Sequence, residues 1–254
     1  MLPMTFVAGP SRPRNIAPAG VTTPCIATAS PFLLGRELEN ATPLDAGNYA
    51  LSRIINQFQV VPTLSQLCQH PRKDQHILGQ IGLRLDAGVN PDGGEQTYSA
   101  EQFEKLTDGA WKCTLGNCME LSMVAGRMIK AQGFPHEVQL LALAAQTLSD
   151  GSVPDHVFLA CRDGNTEYLI DPTMHFLKHS ATYDFPYPLR NFATVYPINT
   201  SIDNFRFTSR RSHANNEYQL HLWDLADLPD PHQAFTVLGQ FERVGETVEF
   251  RSMR

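Results

Sequence analysis

Cys118, His156 and Asp171 are the residues whose types and order could carry nucleophilic acyl chemistry. A thiolate attacks carbonyl carbon, an imidazole moves the protons, and a carboxylate holds that imidazole in the useful tautomer. The three are far apart in the chain, so the elements around each must bring them together.

Cys118 opens a predicted helix. Leu121, Val124, Ala125 and Met128 recur at helical spacing, Asn117 is a suitable N-cap, and Gly133 with Pro135 ends the run. In a first helical turn the free backbone N–H groups and the dipole favour thiolate over thiol, and the same groups can hold an oxyanion. Asn117, through its amide, and Trp111, through its indole N–H, are further oxyanion or acyl-pocket candidates. Capping explains Asn117 equally well, and core packing explains Trp111.

His156 and Asp171 belong to a predicted hairpin with strands over 155–161 and 166–171. Asp-Gly is a strong two-residue turn signal, and a loop at Asp163-Gly164 sets His156 directly opposite Asp171 on one face. A loop at Gly164-Asn165 pairs His156 with Thr173 instead. The triad expectation therefore depends on the turn.

Gly-Asn-Cys at a helix start, Asp-His-Val at a strand start and Ile-Asp-Pro-Thr at the end of the next strand resemble the catalytic core of papain-like, transglutaminase-like proteins. The short intervals are most similar to bacterial toxins and secreted effectors that deamidate glutamine, of the Pasteurella multocida toxin kind, and the resemblance covers about residues 99–175. It implies an α+β, papain-like fold with N-terminal helices packed on an antiparallel β-sheet. It also implies a catalytic Cys118, His156 and Asp171, no cofactor, and conversion of a reactive glutamine on a host signalling protein to glutamate. Non-classical secretion from a bacterium and action in the host cytoplasm follow from the same resemblance. A papain-like cysteine protease or a transglutaminase uses the same machinery. The non-enzymatic alternative is a papain-shaped module that binds a host protein.

Composition bounds these readings. The 254 residues suit one domain over 36–254 behind a Pro-rich segment, 1–35, that is too poor in large apolar residues to fold alone. That segment reads as a disordered tail; in an effector it would be an export leader, met by an export chaperone. A net charge of -6 without a long basic run argues against nucleic acid as the main partner. Five cysteines form an odd, widely spaced set rather than a disulfide framework, which suits a reducing compartment. Cys113, Cys118, His156 and His175 make a poor zinc set, because Cys-x4-Cys does not match common structural sites, so no metal is expected. No stretch is long and apolar enough to span a bilayer, and no basic region leads into an apolar one at the N-terminus.

The remaining expectations are local. A helix spans roughly 43–58 with Pro43 in its first turn, a short one starts near Thr63, and a loop occupies 90–94. Ser99 and Gln102 form a capping box opening a helix to about Leu106. Further strands lie near 137–144, 217–224, 233–241 and 246–251, with turns at 228–231 and Gly245. Helices first and antiparallel strands second is an α+β order.

Overall fold

Among the described residues, capping side chains start three of four helices. The computed structural model describes residues 30–58, 73–90, 98–144, 146–154, 156–164, 166–173, 195–197, 206–212, 218–224, 227–230 and 233–253. Helix α1 spans Pro43–Gln57, α2 Lys73–Asp86, α3 Ala100–Cys113 and α4 Cys118–Ala131. Thr42, Ser99 and Asn117 each close a capping box, with Asp45, Gln102 and Glu120 respectively. Helix α3 runs past the expected Leu106 because Ala110 and Trp111 continue the buried stripe of Phe103, Leu106 and Thr107. Helix α2 was not expected. The short helix at Thr63, the segment 1–29, His175, His179 and most of the aromatic stretch before Pro197 lie outside the described residues.

Among the described residues nine strands follow: β1 Glu137–Leu143, β2 Val153–Pro154, β3 Val157–Asp163, β4 Thr166–Ile170, β5 Val195–Pro197, β6 Arg206–Ser212, β7 Tyr218–Asp224, β8 Phe235–Val244 and β9 Thr247–Ser252. Six form an antiparallel sheet in the order β5-β4-β3-β1-β8-β9, and β2-β6-β7 form a second antiparallel sheet. The class is α+β, as the element order implied.

Helix α4 is the hub. It packs on α1 and α3 and also on β1, β3, β8 and β9, so Leu121, Met123, Val124, Ala125, Met128 and Ile129 are all 0% exposed. A helix covered on several faces need not be amphipathic, which is why its apolar residues exceed a single stripe. Its C-terminus stops at Gly133, whose φ is +80°, and the buried Lys130 Nζ donates to the carbonyls of Phe134 and His136 at 2.9 Å each. Residues 30–35, inside the segment expected to be flexible, pack on this end. The Gly35 N–H donates to Ala131 O at 2.9 Å, and Phe32 meets Trp111 edge-on under the Arg127 guanidinium.

Helix α4 approaches β8 so closely that a Cβ added at Gly126 would lie 2.6 Å from the Phe241 ring, itself fully buried. Gly126→Ala gains helix propensity of about 1 kcal/mol but overpacks the core by about 1–3 kcal/mol. The expected result is a net loss of stability, read as a lower denaturant midpoint at unchanged m-value. An unchanged or raised midpoint contradicts this packing.

Candidate active site

Cys118 occupies the first position of α4 and is 8% exposed. The Asn117 side-chain oxygen accepts the Met119 N–H at 3.2 Å, and the Glu120 carboxylate accepts the Asn117 N–H at 3.0 Å. Asn117 is thus a helix cap whose oxygen is engaged by α4 itself. Trp111 packs between Phe32 and Phe58, with ring centroids 6.3 and 6.0 Å away. Its indole N–H is buried without a hydrogen-bond partner among the described residues.

The hairpin turn differs from the expected one. Asp163 pairs with Thr166, Arg162 with Glu167 and Leu159 with Ile170, so Asp163 belongs to the ladder and the expected Asp163-Gly164 loop is not the one formed. Two physical reasons favour this register. Gly164 takes a φ of +55°, which costs glycine least, and Arg162 comes opposite Glu167 and within 3.6 Å of Glu137, a cross-strand charge arrangement that a partner at Asn165 would lack. Asp163, freed from the turn, reaches His136 Nδ1 at 3.4 Å.

The carboxylate and the imidazole nevertheless meet. The slip moves each partner by two residues, so the faces are unchanged and His156 and Asp171 become diagonal neighbours beyond the last ladder pair. Diagonal positions remain within reach of an imidazole. His156 Nε2 lies 2.5 Å from Asp171 Oδ2, a short, charge-assisted contact, while Asp171 Oδ1 accepts the Thr173 N–H at 3.1 Å. The His156 backbone is fixed as well, its carbonyl accepting the Leu143 N–H at 3.1 Å.

Helix α4 docks against this corner through Ser122, one turn beyond Cys118. Its hydroxyl donates to the Val157 carbonyl at 3.2 Å, next to His156. Cys118 lies close enough to help raise His156, after Asp171, by hydrogen bonding and charge. Since Nε2 faces Asp171, Nδ1 is the ring nitrogen left for the sulfur. The three side chains therefore form a chain: thiol, imidazole, carboxylate.

His156 and Asp171 are 3% and 0% exposed. Burial by itself opposes the imidazolium. The charge and hydrogen bond of Asp171, followed by those of Cys118, outweigh it and push His156 up to about 10. Cys161 shows the contrasting case: it is fully buried on β3, and desolvation pushes its thiol up despite Lys130. Such a thiol is inert. Cys118 and Cys161 are free thiols, and among the described residues no group of three or more His, Cys, Asp or Glu is arranged to hold a metal ion.

Ser122, Thr173 and the Glu120 network were not anticipated. Glu120 was legible in principle, because Asn-x-x-Glu ahead of an apolar run is a capping-box pattern. Ser122 carried no local signal; its partner is a strand carbonyl that only the tertiary fold supplies. No helix among the described residues is long and apolar enough to cross a membrane. The chain matches no family model and no curated protein.

Proposed function

We propose that this chain is a cysteine-dependent acyl-transfer enzyme of papain-like, transglutaminase-like arrangement that deamidates glutamine on a protein substrate. The observation that carries the reading is His156 placed between Cys118 and Asp171, all three buried against one another. The resemblance of the motifs around them to bacterial effector deamidases favours a glutamine side chain over the main chain, and with it secretion and action on a host signalling protein.

The steps follow from the geometry. Cys118 thiolate attacks the side-chain carboxamide carbon, and the oxyanion forms beside the Cys118 backbone N–H at the head of α4. The His156 imidazolium gives its proton to the nitrogen as the C–N bond breaks, releasing ammonia and leaving a thioester. Part of what holds the proton on His156 is the Cys118 negative charge. Consuming that charge in the thioester loosens the proton at the moment it is needed. Neutral His156 then takes a proton from water, whose oxygen attacks the thioester; the products are glutamate and the restored thiolate–imidazolium pair. Asp171 holds the ring throughout. The product carries one new negative charge and has lost an amide donor, a change able to disable or lock a switch.

Wild type and Cys118→Ala are compared in host lysate by peptide mass spectrometry. Glutamine-to-glutamate conversion that requires Cys118 is the expected result. Cys118-dependent new chain termini would establish a protease, and isopeptide cross-links a transglutaminase. Identical peptides from both proteins would point to a non-catalytic host-protein-binding module.

A further inference from the structure

Arg84 and Glu120 form a buried ion pair that the acyl-transfer steps do not use. Arg84 Nε lies 2.7 Å from Glu120 Oε1, and the two side chains are 12% and 1% exposed. Glu120 Oε2 accepts Gln80 Nε2 at 3.2 Å and the Asn117 N–H at 3.0 Å. One carboxylate thus ties α2 to the peptide immediately before the nucleophile. Arg84 interacts electrostatically with Cys118 and Tyr98 as well as with Glu120.

A carboxylate buried two residues from a thiol opposes a second negative charge there, and a guanidinium on that carboxylate cancels the opposition. Stability alone is a weak reason for such a pair, since well-packed apolar side chains of similar volume often serve as well or better. Cys118 interacts electrostatically with His156, just ahead of β3, and with Arg84 on α2; His156 faces Asp171 after β4, and Arg84 faces Glu120 on α4 and Tyr98 ahead of α3. Arg84 and His156 are the cations of this set.

We propose that Arg84 is a positioning residue for the nucleophile: through Glu120 it fixes the Asn117–Cys118 turn, and its charge balances Glu120 so that the thiolate can form beside His156. The inference rests on Cys118 being the nucleophile. It differs from scaffolding in predicting opposite effects of opposite charge removals.

The test is the rate of iodoacetamide alkylation at Cys118 across a pH series, read by peptide mass spectrometry on the full chain, with circular dichroism to establish folding. Arg84→Met should alkylate about tenfold more slowly at neutral pH and displace the profile to higher pH. Glu120→Gln leaves a surplus cation and should displace it to lower pH. The Arg84→Met/Glu120→Gln double variant should return towards wild type, and Arg84→Lys, which keeps the charge but loses the fork, should lie between wild type and Arg84→Met. Where Arg84→Met alone fails to fold, the double variant measured against Glu120→Gln carries the same sign, displaced upward. Single variants that lose reactivity with unmoved profiles, or move the same way, overturn the inference. A wild-type Cys118 no more reactive than Cys113 removes the nucleophile itself, and the inference with it.

Discussion

Asp171→Asn is expected to leave the fold in place and lower acyl turnover by about 10³–10⁴-fold, through the tautomer of His156. Asp171 receives two protons from opposite sides, the Thr173 N–H on Oδ1 and the His156 Nε2 proton on Oδ2. An asparagine can accept only one of them. If its oxygen stays with Thr173, its NH₂ faces Nε2, which must then be a lone pair, and the remaining proton sits on the nitrogen turned towards Cys118. That ring cannot take the thiol proton and cannot become imidazolium without two donors facing each other in a buried site. If the amide flips, the Thr173 N–H loses its acceptor, at a cost of about 1–3 kcal/mol. The readout that needs no substrate is alkylation of Cys118, which should slow in the variant while Cys113 is unaffected. Equal Cys118 rates in Asp171→Asn and wild type would show that the carboxylate does not govern the imidazole.

The ease with which each part of this site reads from sequence tracks how local its determinants are. The caps at Thr42, Ser99 and Asn117 are short-range hydrogen bonds, and Asn117 correctly places Cys118 at the head of α4. Helix α2 escapes notice because Gly79 and Gly82 interrupt it and because Leu78 and Leu85 are exposed, so its apolar residues do not describe one covered face. At Gly79 the reason is tertiary: a Cβ there would lie 2.7 Å from the Leu115 side chain. Strands β5 and β6 have partners distant in the chain, and β6 pairs with both β2 and β7. The hairpin is the instructive case. Asp-Gly and Gly-Asn are both turn signals at the same place, and local propensity cannot choose between them. The choice falls to Arg162, placed between Glu137 and Glu167 by strand β1 on one side and β4 on the other. The His156–Asp171 pair survives the altered register because a two-residue slip conserves the face.

The same pair should make the protein lose stability as pH rises, over a range where most carboxylate-based stabilisation is constant. His156 ordinarily titrates at 6.5 and is held up to about 10 in the folded chain. Below the lower value both folded and unfolded chains carry the proton, and the full contribution of the pair is present. Between the two values the folded chain keeps a proton that the unfolded chain has released, so unfolding stability falls with pH. One proton sets the slope at about 1.4 kcal/mol per pH unit at most, and the fall ends once the folded state has also deprotonated. Tyr98 contributes in the same sense at the upper end: burial first, and then Glu120, raise its hydroxyl, so the folded chain keeps a proton that the unfolded chain releases and stability falls further there. Acidic losses come from carboxylates that hydrogen bonds or cations hold down, such as Asp45, capped by Thr42, and fall well below this window. Urea unfolding of Cys118→Ala, in which no thiolate offsets the proton held on His156, should therefore show a declining free energy from pH 6 to 9, and Cys118→Ala/His156→Gln, which has no proton to retain, should be less stable at pH 6 but nearly flat across the range. Parallel curves for the two proteins would mean that His156 titrates normally in the fold and that Asp171 does not hold an imidazolium.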